Sequence, residues 1–328
     1  MKIEYIKLKS LISDYLIQQG ISIADSQITA TVLLEGTIRG YVNHGIGRLL
    51  QIKEGFDNGT ICTSNVYQIL RENDSTAVID ACNYLGHPVG DFAMRLAIQK
   101  AKRTGIGLVG TLNASHLGIL SYYSELASNN TCLGIVMSTS SPAVVLKGGK
   151  IKTLGTNPIS YSIPCAPNKF TADFSTSKVA RGTIIQYHKE NRLIPKYWAV
   201  DQDGKCTNNP EDALKGGIQT IDGDIKGSLL SLLISIMAGH MIGGEINPNV
   251  TGTRYMKERS NKGDLFIAID ISSLTSLNRF QDQTIKLCEF ISNQKISFRV
   301  PGQGSYERRT NAMKQGIAVN KELMDILK

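Results

Sequence analysis

Gly105-Ile106-Gly107-Leu108-Val109-Gly110 decides the fold, because it spells GxGxxG in the wrong surroundings. In a dinucleotide-binding βαβ unit that pattern follows a strand and opens a helix. Here it follows an amphipathic stretch over 90–104, ending Lys102-Arg103-Thr104, and runs into an apolar one over 106–112. Gly105 therefore reads as a helix C-cap, with a strand after it. A Rossmann assignment is rejected on that ground.

Outward from this point the chain alternates strand and helix, which marks an α/β fold. Upstream, Thr76-Ala77-Val78-Ile79-Asp80 is strand-like. Downstream the pattern predicts a helix over 119–128 and strands over 133–138 and 159–163. A long helix begins near Lys226, a strand covers 265–271, a helix covers 281–291, and 321–328 closes the chain. The first ~70 residues differ. Leu8, Leu11, Ile12, Tyr15 and Leu16 recur at helical spacing, as do Ile28, Val32, Leu33 and Ile38. The expected division is a helical lobe over 1–75, joined by about 300–328, and an α/β domain over 76–299.

At 328 residues with 41% hydrophobic and 20% charged residues, the composition is that of a soluble globular protein. Net charge is +8, but the basic residues are scattered and no aromatic platform accompanies Lys147, Lys150 and Lys152. A nucleic-acid partner is not expected, and attraction of anionic small molecules accounts for the charge. The six cysteines show no CxxC and no metal-ligand spacing, so reduced thiols, no metal and a cytoplasmic location are expected. The N-terminus lacks a secretory apolar region. The stretch over 229–241 is too short and too serine-interrupted to span a bilayer, and reads as a buried core helix with no membrane role.

Arg39-Gly40-Tyr41-Val42-Asn43-His44-Gly45-Ile46-Gly47-Arg48 carries the chemistry best. If it is helical, His44 and Arg48 share a face. A guanidinium that grips a carboxylate, beside an imidazole that exchanges a proton near neutral pH, suits a 2-oxo or 2-hydroxy acid. His116, in Asn113-Ala114-Ser115-His116-Leu117-Gly118, stands where a strand ends and a helix starts. There it either meets a substrate oxygen or merely caps the helix. Ser138-Thr139-Ser140-Ser141-Pro142 is a hydroxyl-rich strand exit, and Asn157, before proline, is expected to be extended. Asp173-Phe174-Ser175-Thr176-Ser177 is expected to follow a short strand, and Asp173 either accepts from a ribose or caps a turn. Asp224-Ile225-Lys226-Gly227 opens the long helix, as a phosphate seat or with Asp224 as an ordinary cap. Pro301-Gly302-Gln303-Gly304 reads as a flexible turn.

In order and spacing these pieces resemble the second type of malate/L-lactate dehydrogenase, over nearly the whole chain. This family includes ureidoglycolate and L-sulfolactate dehydrogenases, diketogulonate reductase and cyclic-imine carboxylate reductases. Further motifs carry the likeness: Tyr122-Tyr123, Gly148-Gly149, Gly155-Thr156-Asn157-Pro158, Trp198-Ala199-Val200-Asp201 and Asp203-Gly204. The resemblance implies a non-Rossmann NAD(P)-binding α/β domain with a mixed sheet, plus a mainly helical lobe from both termini. It implies hydride transfer between NAD or NADP and C2 of a small anionic 2-hydroxy or 2-oxo carboxylate, in a homodimer. His44 and His116 would be catalytic, with Arg48, Asn43 and Thr156 at the substrate. Ser140, Asp173, Phe174, Ser175, Lys226, Gly302, Gln303 and Gly304 would contact the cofactor. Asn43 departs from the family's usual serine, and Ile52 stands where some members have tyrosine. Those changes leave open a cyclic-imine carboxylate substrate, or a non-catalytic member that binds a nucleotide or metabolite.

Overall fold

The computed structural model describes residues 2–165, 170–253, 256–294 and 296–327. The chain opens with β1 (Lys2–Ile3), α1 (Tyr5–Gln18), α2 (Ile23–Ile38) and α3 (Arg48–Asp57). It continues through β2 (Gln68–Glu72), β3 (Thr76–Asp80), α4 (Gly86–Thr104), β4 (Ile106–Leu112), α5 (Ser121–Asn129) and β5 (Cys132–Ser138). A run of short strands follows: β6 (Val144–Val145), β7 (Lys152–Leu154), β8 (Pro158–Ile163) and β9 (Phe170–Ser175). Then come α6 (Arg181–Lys189), β10 (Ala199–Val200), β11 (Cys206–Thr207), α7 (Pro210–Lys215), β12 (Gly217–Ile218) and α8 (Ile225–Ala238). The last elements are β13 (Gly263–Asp270), α9 (Leu277–Asn293), α10 (Gln303–Gln315), β14 (Ile317–Ala318) and α11 (Lys321–Ile326).

Two compact units result. One comprises Met1–Val136, Ser160–Asp173 and Phe266–Lys328; the other comprises Met137–Ile159 and Phe174–Leu265. The chain thus changes unit within β5, β8, β9 and β13, not at residues 75 and 300.

The first unit is built on a mixed seven-stranded sheet in the order β2-β3-β4-β13-β5-β8-β9. β3 and β4 run parallel, with Ala77 opposite Val109 and Ile79 opposite Thr111, and β2 adds antiparallel to β3. Ala77 and Ile79 point into the core while their neighbours stay half-exposed, the alternation of a strand with one covered face. Helix α4 covers β4, and Gly107 permits the approach. A Cβ there would lie 1.9 Å from the Ala97 carbonyl oxygen. Gly105 ends α4 at φ 88°. The glycines of GxGxxG therefore serve a helix cap and helix–strand packing.

The second unit holds a five-stranded sheet, β11-β10-β12-β6-β7, over a small core of Val144, Leu154, Ile184, Ala199 and Ile218. Most of its strands are two residues long.

Several local expectations are corrected. Residues 40–48 are not one helix: Val42–His44 is a 3-10 turn, and α3 starts at Arg48. Gly302, Gln303 and Gly304 are not a free turn but the cap and first turn of α10. Asp173, Phe174 and Ser175 lie on β9 rather than after it. Asn157 takes φ 32° rather than an extended conformation. The closing helix ends at Ile326, and Lys328 lies outside the described residues.

Helix α8 is buried on one face only, not throughout. Ser228, Ser231, Ile234, Ser235 and Ala238 face the core, while Leu229, Leu233 and Ile236 are exposed. By length and composition the run Ile225–Ile242 is apolar enough to cross a membrane. Gly239 interrupts its regular helix, and its hydroxylated face is packed as in a globular core.

Candidate active site

His44 is placed by a tight turn against the end of α2. Gly36 and Gly45 allow it: a Cβ on Gly36 would lie 2.6 Å from the His44 carbonyl oxygen, and one on Gly45 2.3 Å from Thr37 Oγ1. The Thr37 hydroxyl then accepts the Ile46 N–H at 2.8 Å. Gly36 within α2 and Gly45 beside His44 therefore serve a close backbone approach, Gly36 at some cost in helix propensity.

His116 comes from the loop between β4 and α5. The loop is anchored by Asn113, at φ 58°, whose Nδ2 donates to Asp80 Oδ1 at 2.9 Å, and by Ser115 Oγ, which accepts from Gly86 N at 2.9 Å. Gly118, at φ 74°, turns its N–H back onto His116 Nδ1 at 2.8 Å.

The two imidazoles meet although 72 residues separate them. His44 Nδ1 lies 3.3 Å from His116 Nε2, with ring centroids 5.1 Å apart and planes 22° from parallel. Burial, with the Arg48 cation nearby, pushes the His44 pKa down to about 3, so the ring is neutral at physiological pH.

Arg48 opens α3. Its Nε donates to the Asn43 carbonyl oxygen at 2.7 Å, and its Nη1 donates to Gln51 Oε1. The Asn43 side chain makes no hydrogen bond among the described residues. No carboxylate pairs with Arg48 among them either, and burial alone lowers its pKa to about 10. The result is a half-buried guanidinium, fixed on one edge, without an anion among the described residues and next to the neutral His44 imidazole and its His116 partner.

Other candidates in this unit have local partners. Asp173 accepts the Ser121 N–H at the start of α5 at 2.8 Å. Burial raises its pKa, and Asp173 in turn helps raise that of Tyr41. Gly302 caps α10 at φ 95°, and its carbonyl oxygen accepts from the amides of Ser305 and Tyr306 at 3.0 Å each. Gln303 Nε2 donates to Glu307 at 3.2 Å. A Cβ on Gly304 would meet nothing nearer than Arg308 Nη1 at 3.5 Å.

The second unit brings Ser140 and Thr156 together. Ser140 Oγ accepts the Thr156 N–H at 3.0 Å and lies 3.3 Å from Thr156 Oγ1. Gly155 is obligatory between them, because a Cβ would lie 2.2 Å from the Ser140 carbonyl oxygen. Ser175 pairs with the Ser177 hydroxyl at 2.9 Å, while Phe174 is exposed.

At the N-terminus of α8 the protein's own carboxylates take the backbone donors. Asp222 accepts from Asp224 N and Gly227 N, and Asp224 accepts from Ile225 N. The amides there are capped and are not an anion seat. Lys226 itself is exposed and makes no ion pair among the described residues, so its side chain fits the negative charge of a dinucleotide. No cluster of three or more His, Cys, Asp or Glu with metal-binding geometry occurs among the described residues.

A family model for malate/L-lactate dehydrogenase matches residues 3–328. The chain belongs to the malate/L-lactate dehydrogenase family. Within it, the malate/(S)-sulfolactate dehydrogenase of Methanothermus fervidus is 39% identical over 98% of this chain and 94% of its own length. The solved sulfolactate dehydrogenase of Methanocaldococcus jannaschii superposes with a TM-score of 0.94 at 38% identity, covering all of this chain and 96% of that one. A Delta(1)-pyrroline-2-carboxylate reductase of Burkholderia ambifaria is 28% identical over 94% of this chain and 92% of its own. A member of this family so closely related to dehydrogenases is an oxidoreductase, and its α/β fold is the one these enzymes share.

Two residues beside the candidate site had escaped sequence reasoning. Gln51 holds the Arg48 guanidinium from one helical turn on, a spacing visible once α3 is known to start at Arg48. Gly118 orders the His116 ring through its backbone, which leaves no side-chain signal.

Proposed function

We propose that this protein is an NAD(P)-dependent dehydrogenase that interconverts a small 2-oxo carboxylate of the oxaloacetate or sulfopyruvate type with its 2-hydroxy acid, as a homodimer. The observation that carries this reading is Arg48: a desolvated cation without a protein anion among the described residues, beside the neutral His44 and its His116 partner. Its guanidinium edge away from Asn43 and Gln51 takes the substrate carboxylate, and His44 and His116 stand at the carbon that is reduced. Lys226, the Ser140–Thr156 pair, the Asp173–Phe174–Ser175 stretch and the start of α10 at Gly302, Gln303 and Gly304 are the groups assigned to the dinucleotide. When bound, the nicotinamide supplies or accepts the hydride. The protein's part is to clamp the carboxylate, polarise the C2 oxygen and manage one proton.

The higher identity to the sulfolactate and malate enzymes than to the pyrroline-carboxylate reductase favours a carbonyl over an imine. Oxidation of NADH and of NADPH is to be followed with oxaloacetate, sulfopyruvate, pyruvate and Δ1-pyrroline-2-carboxylate side by side. Turnover of a 2-oxo acid is expected. Turnover of the cyclic imine alone would replace this reading, and binding of NADH with no turnover would leave only a nucleotide-binding member.

A further inference from the structure

The hydrogen bonds that link Gly118, His116 and His44 run in one order. The Gly118 N–H donates to His116 Nδ1, so that nitrogen carries no proton. A neutral His116 then holds its hydrogen on Nε2, which faces His44 Nδ1. His44 Nδ1 must therefore be the acceptor, and the His44 hydrogen sits on Nε2. An extra proton has no place in this chain. On His116 Nδ1 it would oppose the Gly118 N–H, and on His44 Nδ1 it would oppose the His116 Nε2–H.

We propose that the Gly118 amide, acting through His116 as a positioning residue, fixes His44 as a neutral Nε2–H donor and makes it the group that meets the reacting oxygen. This rests, for the identity of that oxygen, on the 2-oxo acid reading above. As hydride arrives at C2, the carbonyl electron pair closes onto oxygen, and the oxygen takes the His44 Nε2 proton. The imidazolate left behind is stabilised by the His116 Nε2–H bond and by the Arg48 cation, and water returns the proton. A neutral imidazole acting in this way is an established catalytic option.

The electrostatic surroundings agree. Among the described residues, the titratable groups that face His44 are Arg48 on α3 and His116. From α2, the element beneath the turn, the nearest polar group is Thr37, and the charged Glu35 and Arg39 are locked to one another at 2.8 Å. A neighbouring cation with no facing carboxylate opposes an imidazolium and favours the neutral and anionic forms.

Nitrogen-15 NMR of the histidine-labelled free protein reads the order directly, with His44 and His116 assigned through H44Q and H116Q. The expected result is that both rings are neutral from pH 6 to 8, with Nε2 protonated and Nδ1 bare. Protonated Nδ1 on either ring, or a cationic His44 in that range, overturns the proposal. Turnover gives a second readout. The wild-type kcat/KM for reduction should stay within about twofold from pH 6 to 8, whereas a cationic general acid of ordinary histidine pKa would lose more than about tenfold. In H116Q the amide can still donate to His44 Nδ1, so a lower kcat with the same flat profile is expected. In H116E the carboxylate accepts from Nδ1–H and lets His44 gain a proton, so activity should fall as pH rises. A flat H116E profile, or a steep wild-type one, counts against the proposal. If NMR returns the expected order while no 2-oxo acid is turned over, the hydrogen order stands and only the substrate reading falls.

Discussion

Arg48 is the residue on which ligand choice turns, because Arg39 and Arg309, the other arginines of its unit at least partly shielded from solvent, already have an acid. Arg39 is held by Glu35 and Glu125, and Arg309 by Glu35. Among the described residues Arg48 is held by neutral oxygens alone, which orient its fork without cancelling its charge. Arg48→Met should therefore raise the KM for the 2-oxo acid roughly ten- to a hundredfold, the span of a lost charge-assisted hydrogen bond. The Kd for NADH, read by fluorescence titration, should stay within about twofold. Equal loss of both would remove the carboxylate clamp from the mechanism. The residue types of His44 and Arg48, close together in the chain, single this pair out in the sequence, but the shared helix face expected from their spacing does not form. The contact between His44 and His116 was not, because no local pattern reports a loop that returns 72 residues later. The substitution of Asn43 for serine has no structural explanation, since its side chain makes no hydrogen bond to the described residues.

Legibility at the level of elements depended on length and on punctuation. β3 and β4 were read to the residue, because a five-residue alternation and an apolar run were each bounded by capping or turn residues. The five-stranded sheet was invisible, since a two-residue strand shows no period. α10 was taken for a turn because its first turn contains Gly304 beside the capping Gly302. The burial of α8 is not legible from its apolar content, because three serines pack inward beside Ile234 while Leu229 and Leu233 stay exposed. The GxGxxG stretch shows how position decides meaning. Gly107→Ala would put a methyl carbon 1.9 Å from the Ala97 carbonyl oxygen, far inside van der Waals contact, where neither backbone can yield easily. A loss of about 1–3 kcal/mol is expected, measured as a lower Tm or denaturation midpoint, with NADH affinity unchanged in the folded variant. Selective loss of NADH binding at unchanged stability would revive a phosphate-binding role for the motif.

Across the whole chain, the first unit is joined by a buried charge network that draws on three distant segments. Arg39, at the end of α2, donates to Glu125 of α5 through Nη1 at 2.6 Å and Nη2 at 3.0 Å. Tyr306 of α10 donates to the same carboxylate, and Arg309 of α10 donates to Glu35 of α2 at 2.9 and 3.0 Å. Two acids face two guanidinium groups, so the charges balance, with Glu35, Arg39 and Glu125 buried and Arg309 partly open to solvent. Such a network contributes little over apolar packing while complete, but losing one member strands the others. Glu125→Ala leaves Arg39 with only Glu35, which Arg309 also uses, and should cost about 3–5 kcal/mol. The pH response follows from the carboxyls. Burial tends to raise the Glu35 pKa, but Arg309 and Arg39 outweigh it and hold the group below its ordinary value. A carboxyl depressed on folding contributes stability that is complete above its unfolded pKa of about 4.3 and is lost as pH falls through the folded value. Wild-type Tm should therefore be level from pH 8 to 6 and drop steeply below about pH 4. Glu35→Gln should lower the plateau and shallow that acid limb. A variant as stable as wild type, with the limb unchanged, would show that Glu35 does not hold α2 and α10 together.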